Sequence, residues 1–146
     1  MGIELFLAQF AATLLMTGVI WFVQVVHYPL FARVGEAEFA VFEAENTMRT
    51  GWVVGVPMLV EMATATLGLL PGLRPEFFPM WAAVTGEALL GVIWISTAAL
   101  QVPLHGRLTQ GFDAKAAARL VSSNWVRTVC WGLRAALLFW FTAHVL

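Results

Sequence analysis

Residues 5–32 read LFLAQFAATLLMTGVIWFVQVVHYPLFA, and no aspartate, glutamate, lysine or arginine stands between Glu4 and Arg33. A helix rises about 1.5 Å per residue, so about 20 apolar residues cross the hydrocarbon core of a bilayer. This stretch predicts a membrane-spanning helix. Three more stretches repeat the pattern with one charge each: Thr50 to Leu73 holds only Glu61, Phe77 to Gly106 only Glu87, and Thr128 to Leu146 only Arg134. Four spans are therefore expected, near 5–27, 51–70, 79–101 and 127–145. Their length and bulky apolar content exclude the short alternating strands of a membrane β-barrel.

The composition agrees. Of 146 residues 60% are hydrophobic and 12% charged, with a mean hydropathy of +0.81. Soluble domains carry about 25% charged residues, so a soluble enzyme, a disordered chain and a nucleic-acid binder are all excluded. A net charge of −1 offers polyanions nothing, and the single Cys130 excludes a disulfide scaffold. Glu4 stands where a signal peptide would carry a cation, so the first span is expected to stay in place.

Arginines and lysines give the orientation. Arg33 and Arg49 flank the first connection; Arg107, Lys115, Arg119 and Arg127 belong to the third. The second connection, Pro71 to Pro79, has only Arg74 and reads as a tight turn. The longer connections are thus expected in the cytoplasm and both termini outside, in a bacterial inner membrane. Trp52, Trp81, Trp125 and Tyr28 fall near span ends, as interfacial aromatics do. Glu36 to Met48 and Asp113 to Ser123 are helix-compatible, with Asp113 placed as an N-cap. Spans two and four should therefore begin as helices some turns early.

Three motifs recur in order. GVIW stands at Gly18–Trp21 and Gly91–Trp94; PLFAR at Pro29–Arg33 matches PLHGR at Pro103–Arg107; NTMRT at Asn46–Thr50 matches NWVRT at Asn124–Thr128. Spans one and three run the same way, so a duplication of halves 1–73 and 74–146 is parallel, about an axis along the membrane normal. The expected fold is all-α: a single-domain polytopic membrane four-helix bundle of two helical hairpins. Pro29 and Pro103 end or kink the odd spans.

Within the spans, polar residues recur at helical spacing: Thr13, Thr17, Ile20, Gln24 and His27; Glu87, Gly91, Trp94, Ala98, Gln101 and His105; Asn124, Arg127, Trp131 and Arg134. In lipid such stripes turn inward. Small residues, Gly51, Gly55, Ala82 and Gly86, would permit close helix approach. Glu61 and Arg134 lie at similar depth and suit a pair. It is either a proton-binding or ligand-orienting site or an ion pair that fixes register. Glu87 lies nearer the outer face, within reach of water. His27 and His105, with Glu45, could ligate a metal, and the two histidines could be axial haem ligands; the alternative is hydrogen bonding to backbone freed by the prolines.

The stretch VHYPLF, the acidic-aromatic helix ending in Arg49, and NWVRT resemble those of small four-span bacterial membrane proteins similar to the anthrone-oxygenase-like membrane family. The resemblance rests on His27, Tyr28, Pro29, Asn124, Trp125 and Arg127. It implies a four-helix membrane bundle and, for some members, oxidation of polycyclic phenols; it transfers no catalytic residue.

Three functions follow from these residues. A binding protein would hold a small apolar or amphipathic molecule, or a metal, with Gln24, His27, Asn46, Arg49, Gln101, His105, Asn124 and Arg127, in the cytoplasmic half of the bundle. A membrane-embedded oxidoreductase, cofactor-free or using metal or haem, would use His27 or His105 as acid–base group or ligand, and an arginine against developing negative charge. A carrier would use Glu61 and Arg134, and with four spans per chain would need a homo-oligomer.

Overall fold

A computed structural model describes residues 1–145; Leu146, the last residue of the expected second half, lies outside the described residues. The fold is all-helical, with no strand among those residues. Helix α1, Gly2–Phe22, runs on through a π stretch, Val23–His27, and a 3-10 segment, Tyr28–Arg33. Helix α2 is Glu36–Leu67. Helix α3, Met80–Ser96, passes through a second π stretch, Thr97–Gln101, into α4, Val102–Leu108. Helix α5 is Ala114–Ala143. Four helical rods result.

Three of them, Gly2–Arg33, Glu36–Leu67 and Met80–Leu108, are long and apolar enough to cross a membrane. The fourth expected span, 127–145, lies in α5, which is 30 residues long but carries Arg127 and Arg134 inside its apolar part. Helices α2 and α5 begin well before the expected spans, at Glu36 and Ala114. Asp113 caps α5 by accepting hydrogen bonds from the backbone N–H groups of Lys115, at 2.9 Å, and Ala116, at 3.0 Å.

The odd rods share a device. A proline has no N–H and its ring crowds the carbonyl four residues earlier. In both rods a π stretch of five residues ends just before the proline dipeptide, with the proline six residues after the stretch begins: Val23 and Pro29, Thr97 and Pro103. The wider turn makes room for the ring, and the chain stays helical past each proline, to Arg33 and to Leu108, and does not end at it.

Helix α1 packs on α2 and α5, and α3 on α5, while α2 meets α3 more sparingly. Three apolar clusters stack along the bundle. Phe6, Phe78, Ala82 and Leu138 fill the end holding the short connection. Met16, Ile20, Met58, Leu90, Ile93 and Trp131 fill the middle. Phe31, Phe39, Leu108 and Leu120, each no more than 1% exposed, close the end holding the two longer connections. Large apolar side chains such as Leu15, Phe22, Val53, Val56, Ile95 and Phe139 stay exposed on the bundle's outside. A soluble protein does not leave such a surface uncovered; an acyl-chain environment suits it.

Of the small residues expected at close helix contacts, Ala82 and Gly86 are buried, and a Cβ on Gly86 would lie 3.4 Å from Nη1 of Arg134. Gly51 and Gly55 do not fit that expectation. A Cβ at either would meet nothing within 4 Å, and Gly51 borders a cavity.

Candidate functional site

Two polar clusters lie inside the bundle. The midplane cluster is built on Glu61 of α2 and Arg134 of α5, which are 0% and 1% exposed. Glu61 accepts from Thr13 Oγ1 at 2.6 Å and from Trp131 Nε1 at 2.9 Å. The Nε of Arg134 lies 3.5 Å from Glu61 Oε1 without a hydrogen aimed at it. Its Nη1 donates to the Gly86 carbonyl and its Nη2 to Thr13 Oγ1, the latter at 3.5 Å. Thr13 and Arg134 thus reach the pair from the stripes expected of them. Glu87 differs from expectation: it is half-buried, accepts from Thr66 Oγ1 at 3.0 Å, and keeps its Oε2 away from solvent without a partner.

The second cluster lies between the middle and the connection-end apolar layers. Glu43 of α2, fully buried, accepts from Nδ1 of His105 on α4 and from Asn46 Nδ2 at 3.0 Å. A carboxylate only accepts, so Nδ1 of His105 carries the hydrogen, and in the tautomer with that single hydrogen Nε2 is an acceptor. The Tyr28 hydroxyl, 2.9 Å from that Nε2, donates to it. Tyr28 in turn accepts from Nη2 of Arg127 at 3.5 Å. The hydrogen bonds therefore run one way, from arginine to tyrosine to histidine to carboxylate, across four helical segments.

Arg127 is held by neutral groups. Nε and Nη2 donate to Asn124 Oδ1 at 2.9 and 2.6 Å, and Nη1 donates to Thr97 Oγ1 at 3.3 Å. Its guanidinium also lies 6.0 Å from the centre of the Trp131 ring, within cation–π range. Asn124 Nδ2 donates to Gln24 Oε1 at 2.9 Å, and Gln24 Nε2 to the Val121 carbonyl at 3.1 Å. Gln101 accepts from Ser96, five residues earlier, at 3.0 Å and donates to Ser123 at 3.1 Å. Both glutamines lie in the π stretches and reach α5. His27 Nε2 hydrogen-bonds Asn46 Oδ1 at 2.8 Å; a side chain fills the role proposed for freed backbone.

A cavity of about 150 Å³ adjoins this cluster, with His27, Tyr28, Asn46, Thr97, Gln101, His105 and Arg127 on its polar side and Met16, Val19, Ile20, Val54, Met58 and Trp131 on its apolar side. Gly51 lies on its wall. Beside it a more open groove of about 630 Å³ runs between α1 and α2, lined by Leu14, Leu15, Gly18, Phe22, Arg49 and Val53. Val19, Val23, His27, Asn46, Thr50 and Val54 border both spaces. The cavity thus shares a wall with the groove on the bundle's apolar exterior, and it lies between two apolar core layers.

No protein-family model, curated protein or solved structure matches this chain.

Most of the expected site residues come together here. Gln24, Asn46, His105, Asn124 and Arg127 join the network, Gln101 lines the cavity but bonds Ser96 and Ser123 instead, and His27 borders both cavity and groove. Three expectations need correction. Glu45 does not meet either histidine: it is 58% exposed and pairs with Arg49 at 3.3 Å on the helix exterior. The carboxylate that meets His105 is Glu43, two residues earlier and so nearly on the opposite side of the helix. Arg49, 70% exposed, lines only the outer groove. Tyr28 is no interfacial aromatic but a 6% exposed member of the site. Among the described residues no three His, Cys, Asp or Glu side chains are grouped to hold a metal. Glu61 and Arg134 form their own cluster, separated from the cavity by Trp131.

Glu43 was hidden in the sequence by its setting among Glu36, Glu38 and Glu45, which read as a solvated acidic face. The signal that identifies it is spacing: Phe39, Glu43 and Asn46 recur at four and three residues, and they share one face.

Proposed function

We propose that the chain is an integral membrane protein of four spans, two hairpins related by parallel duplication, that binds a small apolar or amphipathic molecule in the polar cavity at the cytoplasmic half of its bundle. The observation that carries this reading is the cavity lined by both polar and apolar side chains, which shares wall residues with a larger, mainly apolar groove. Small-molecule sites are typically apolar hollows with a few convergent polar groups, and they occur between the helices of bundles. The duplication is supported by the two π stretches, each placed six residues before its proline. The bacterial inner membrane and the outward termini rest on the arginine and lysine distribution.

The test uses Gly51, whose missing Cβ leaves part of the cavity open. Gly51→Leu adds a bulky side chain at that wall, starting from a Cβ that meets nothing within 4 Å. Protein purified in mild detergent is expected to retain a small molecule, read by mass spectrometry, that Gly51→Leu loses while keeping its helical content and melting temperature. Equal content in both proteins would remove the cavity from the reading.

A second reading is favoured by the one-way chain of hydrogen bonds from Arg127 through Tyr28 and His105 to Glu43. A tyrosine backed by a histidine–carboxylate pair is a general acid–base arrangement, so a membrane-embedded enzyme acting on a hydrophobic substrate would use it. The resemblance to the anthrone-oxygenase-like family implies the same class. Purified protein turning over a hydrophobic phenol, with the rate abolished by Tyr28→Phe, would select this reading; undiminished turnover in Tyr28→Phe would count against it.

A further inference from the structure

We propose that the cavity takes the acidic head of a single-chain amphiphile, held as its anion by Arg127, with its chain lying in the groove between α1 and α2. This deepens the binding reading and rests on it. The first ground is charge. Arg127 is 8% exposed and makes no ion pair among the described residues, whereas Arg49 has Glu45, Arg107 has Asp113 and Arg134 has Glu61. Desolvating a guanidinium costs several kcal/mol, and Asn124, Thr97 and Tyr28 return it only neutral acceptors. The second ground is donor count. A guanidinium has five N–H donors; four are used, on Asn124 twice, Thr97 and Tyr28. One N–H on Nη1 is free for a ligand oxygen at the cavity wall.

The third ground is how Glu43, on the same wall, becomes compatible with an anion. An acid in a bilayer enters protonated. Its O–H bond breaks as the Tyr28 oxygen takes the proton, and Tyr28 gives its own hydrogen to Nε2 of His105. The products are a ligand carboxylate against Arg127 and an imidazolium against Glu43, two ion pairs from one neutral acid, with no net charge moved into the bundle. The fourth ground is lining: Tyr28, Thr97, Gln101, His105 and Arg127 border only the inner cavity, whereas the outer groove, beyond the His27, Asn46 and Thr50 it shares with the cavity and the exposed Arg49 at its edge, is bordered by exposed leucine, phenylalanine and valine side chains. That division fits one head and one chain.

The test compares three twelve-carbon probes, dodecanoic acid, 1-dodecanol and dodecyltrimethylammonium, with the full chain in phosphatidylcholine nanodiscs. Binding is read by the shift in melting temperature and by quenching of tryptophan fluorescence. Dodecanoic acid is expected to bind at least ten-fold more tightly than the alcohol, and the cation not at all. In Arg127→Gln the acid should fall to the level of the alcohol. If that variant fails to fold, Tyr28→Phe serves instead; it should weaken the acid and leave the alcohol unchanged. Equal binding of acid and alcohol by the wild type would overturn the head-group inference and leave the binding reading intact. Binding of neither, with Gly51→Leu indistinguishable from wild type, would overturn both.

Discussion

Glu61→Ala removes the carboxylate of the midplane cluster. It strands two donors, Trp131 Nε1 at 2.9 Å and Thr13 Oγ1 at 2.6 Å, and leaves the Arg134 guanidinium, 3.5 Å away, without its counter-charge. Both charged partners are at most 1% exposed, so no solvent screens the loss. Removing one partner of a buried pair costs about 3–5 kcal/mol. The lower end applies here, because Arg134 keeps the Gly86 carbonyl and Thr13 as acceptors, and because polar groups in membrane proteins find substitutes in the unfolded state. Glu61→Ala and Arg134→Met should each cost about 3 kcal/mol. In the pair Glu61→Ala with Arg134→Met no charge is left uncompensated, and apolar replacements of buried ion pairs are often near neutral. The double variant should therefore be less destabilised than the sum of its singles by about 2 kcal/mol or more, a coupling found only between groups that interact. Unfolding by sodium dodecyl sulfate titration in mixed micelles, followed by tryptophan fluorescence, measures all three. Additive costs would show that the two charges do not stabilise each other and that the pairing argument is wrong.

Glu43→Gln should destabilise by about 2–3 kcal/mol through loss of a charge-assisted bond, while Glu45→Gln, on the exterior, should stay within about 0.5 kcal/mol; the same titration compares them. Asp113 is held below the usual carboxylate range first by the Ala116 backbone N–H and then by Arg107 nearby. A depressed folded-state value contributes stability that is present above the unfolded value and lost as pH falls through the folded one. Asp113→Ala should therefore melt lower than wild type at neutral pH, with the gap closing in acid; a gap constant across that range would contradict the cap. Gly86→Val places branched atoms against Arg134 Nη1, where even a Cβ would lie at 3.4 Å, and overpacking costs about 1–3 kcal/mol. Calorimetry showing no loss would mean that the guanidinium has room to move.

Charge-free runs made the helices legible, since nothing but a buried or lipid-facing helix tolerates residues 5–32. The stripe Asn124, Arg127, Trp131 and Arg134 was also legible, because α5 is unbroken α-helix and all four side chains point inward. The odd helices misled where they leave α geometry. An α-helix would put the third and fourth residues after Gln24 on its face. The π stretch winds more slowly, so Tyr28 turns inward and His27 is left at the edge, half-exposed. In α3 the buried face follows Gly86, Leu90, Ile93 and Ser96, then skips five residues to Gln101. The expected stripe runs one residue off this face, so Glu87, Gly91 and Trp94 are only half-buried and Ala98 is exposed, and it is the π stretch that brings Gln101 inward. Prolines announce a disturbance, but not which way it winds.

The π stretches also decide where this chain can lose a residue. An α-helix advances about 100° per residue, so deleting one from the regular part of α1, at Leu14 or Leu15, would turn every later side chain to a new face. Deleting Val25 or Val26 instead closes the π turn to an α turn, and Gln24 and Tyr28 both still face the interior. The same holds in the third rod for Ala98 or Ala99. Tolerance to shortening should thus be concentrated in one turn of each odd helix, at the same distance from its proline, and a scan of single-codon deletions would find it there.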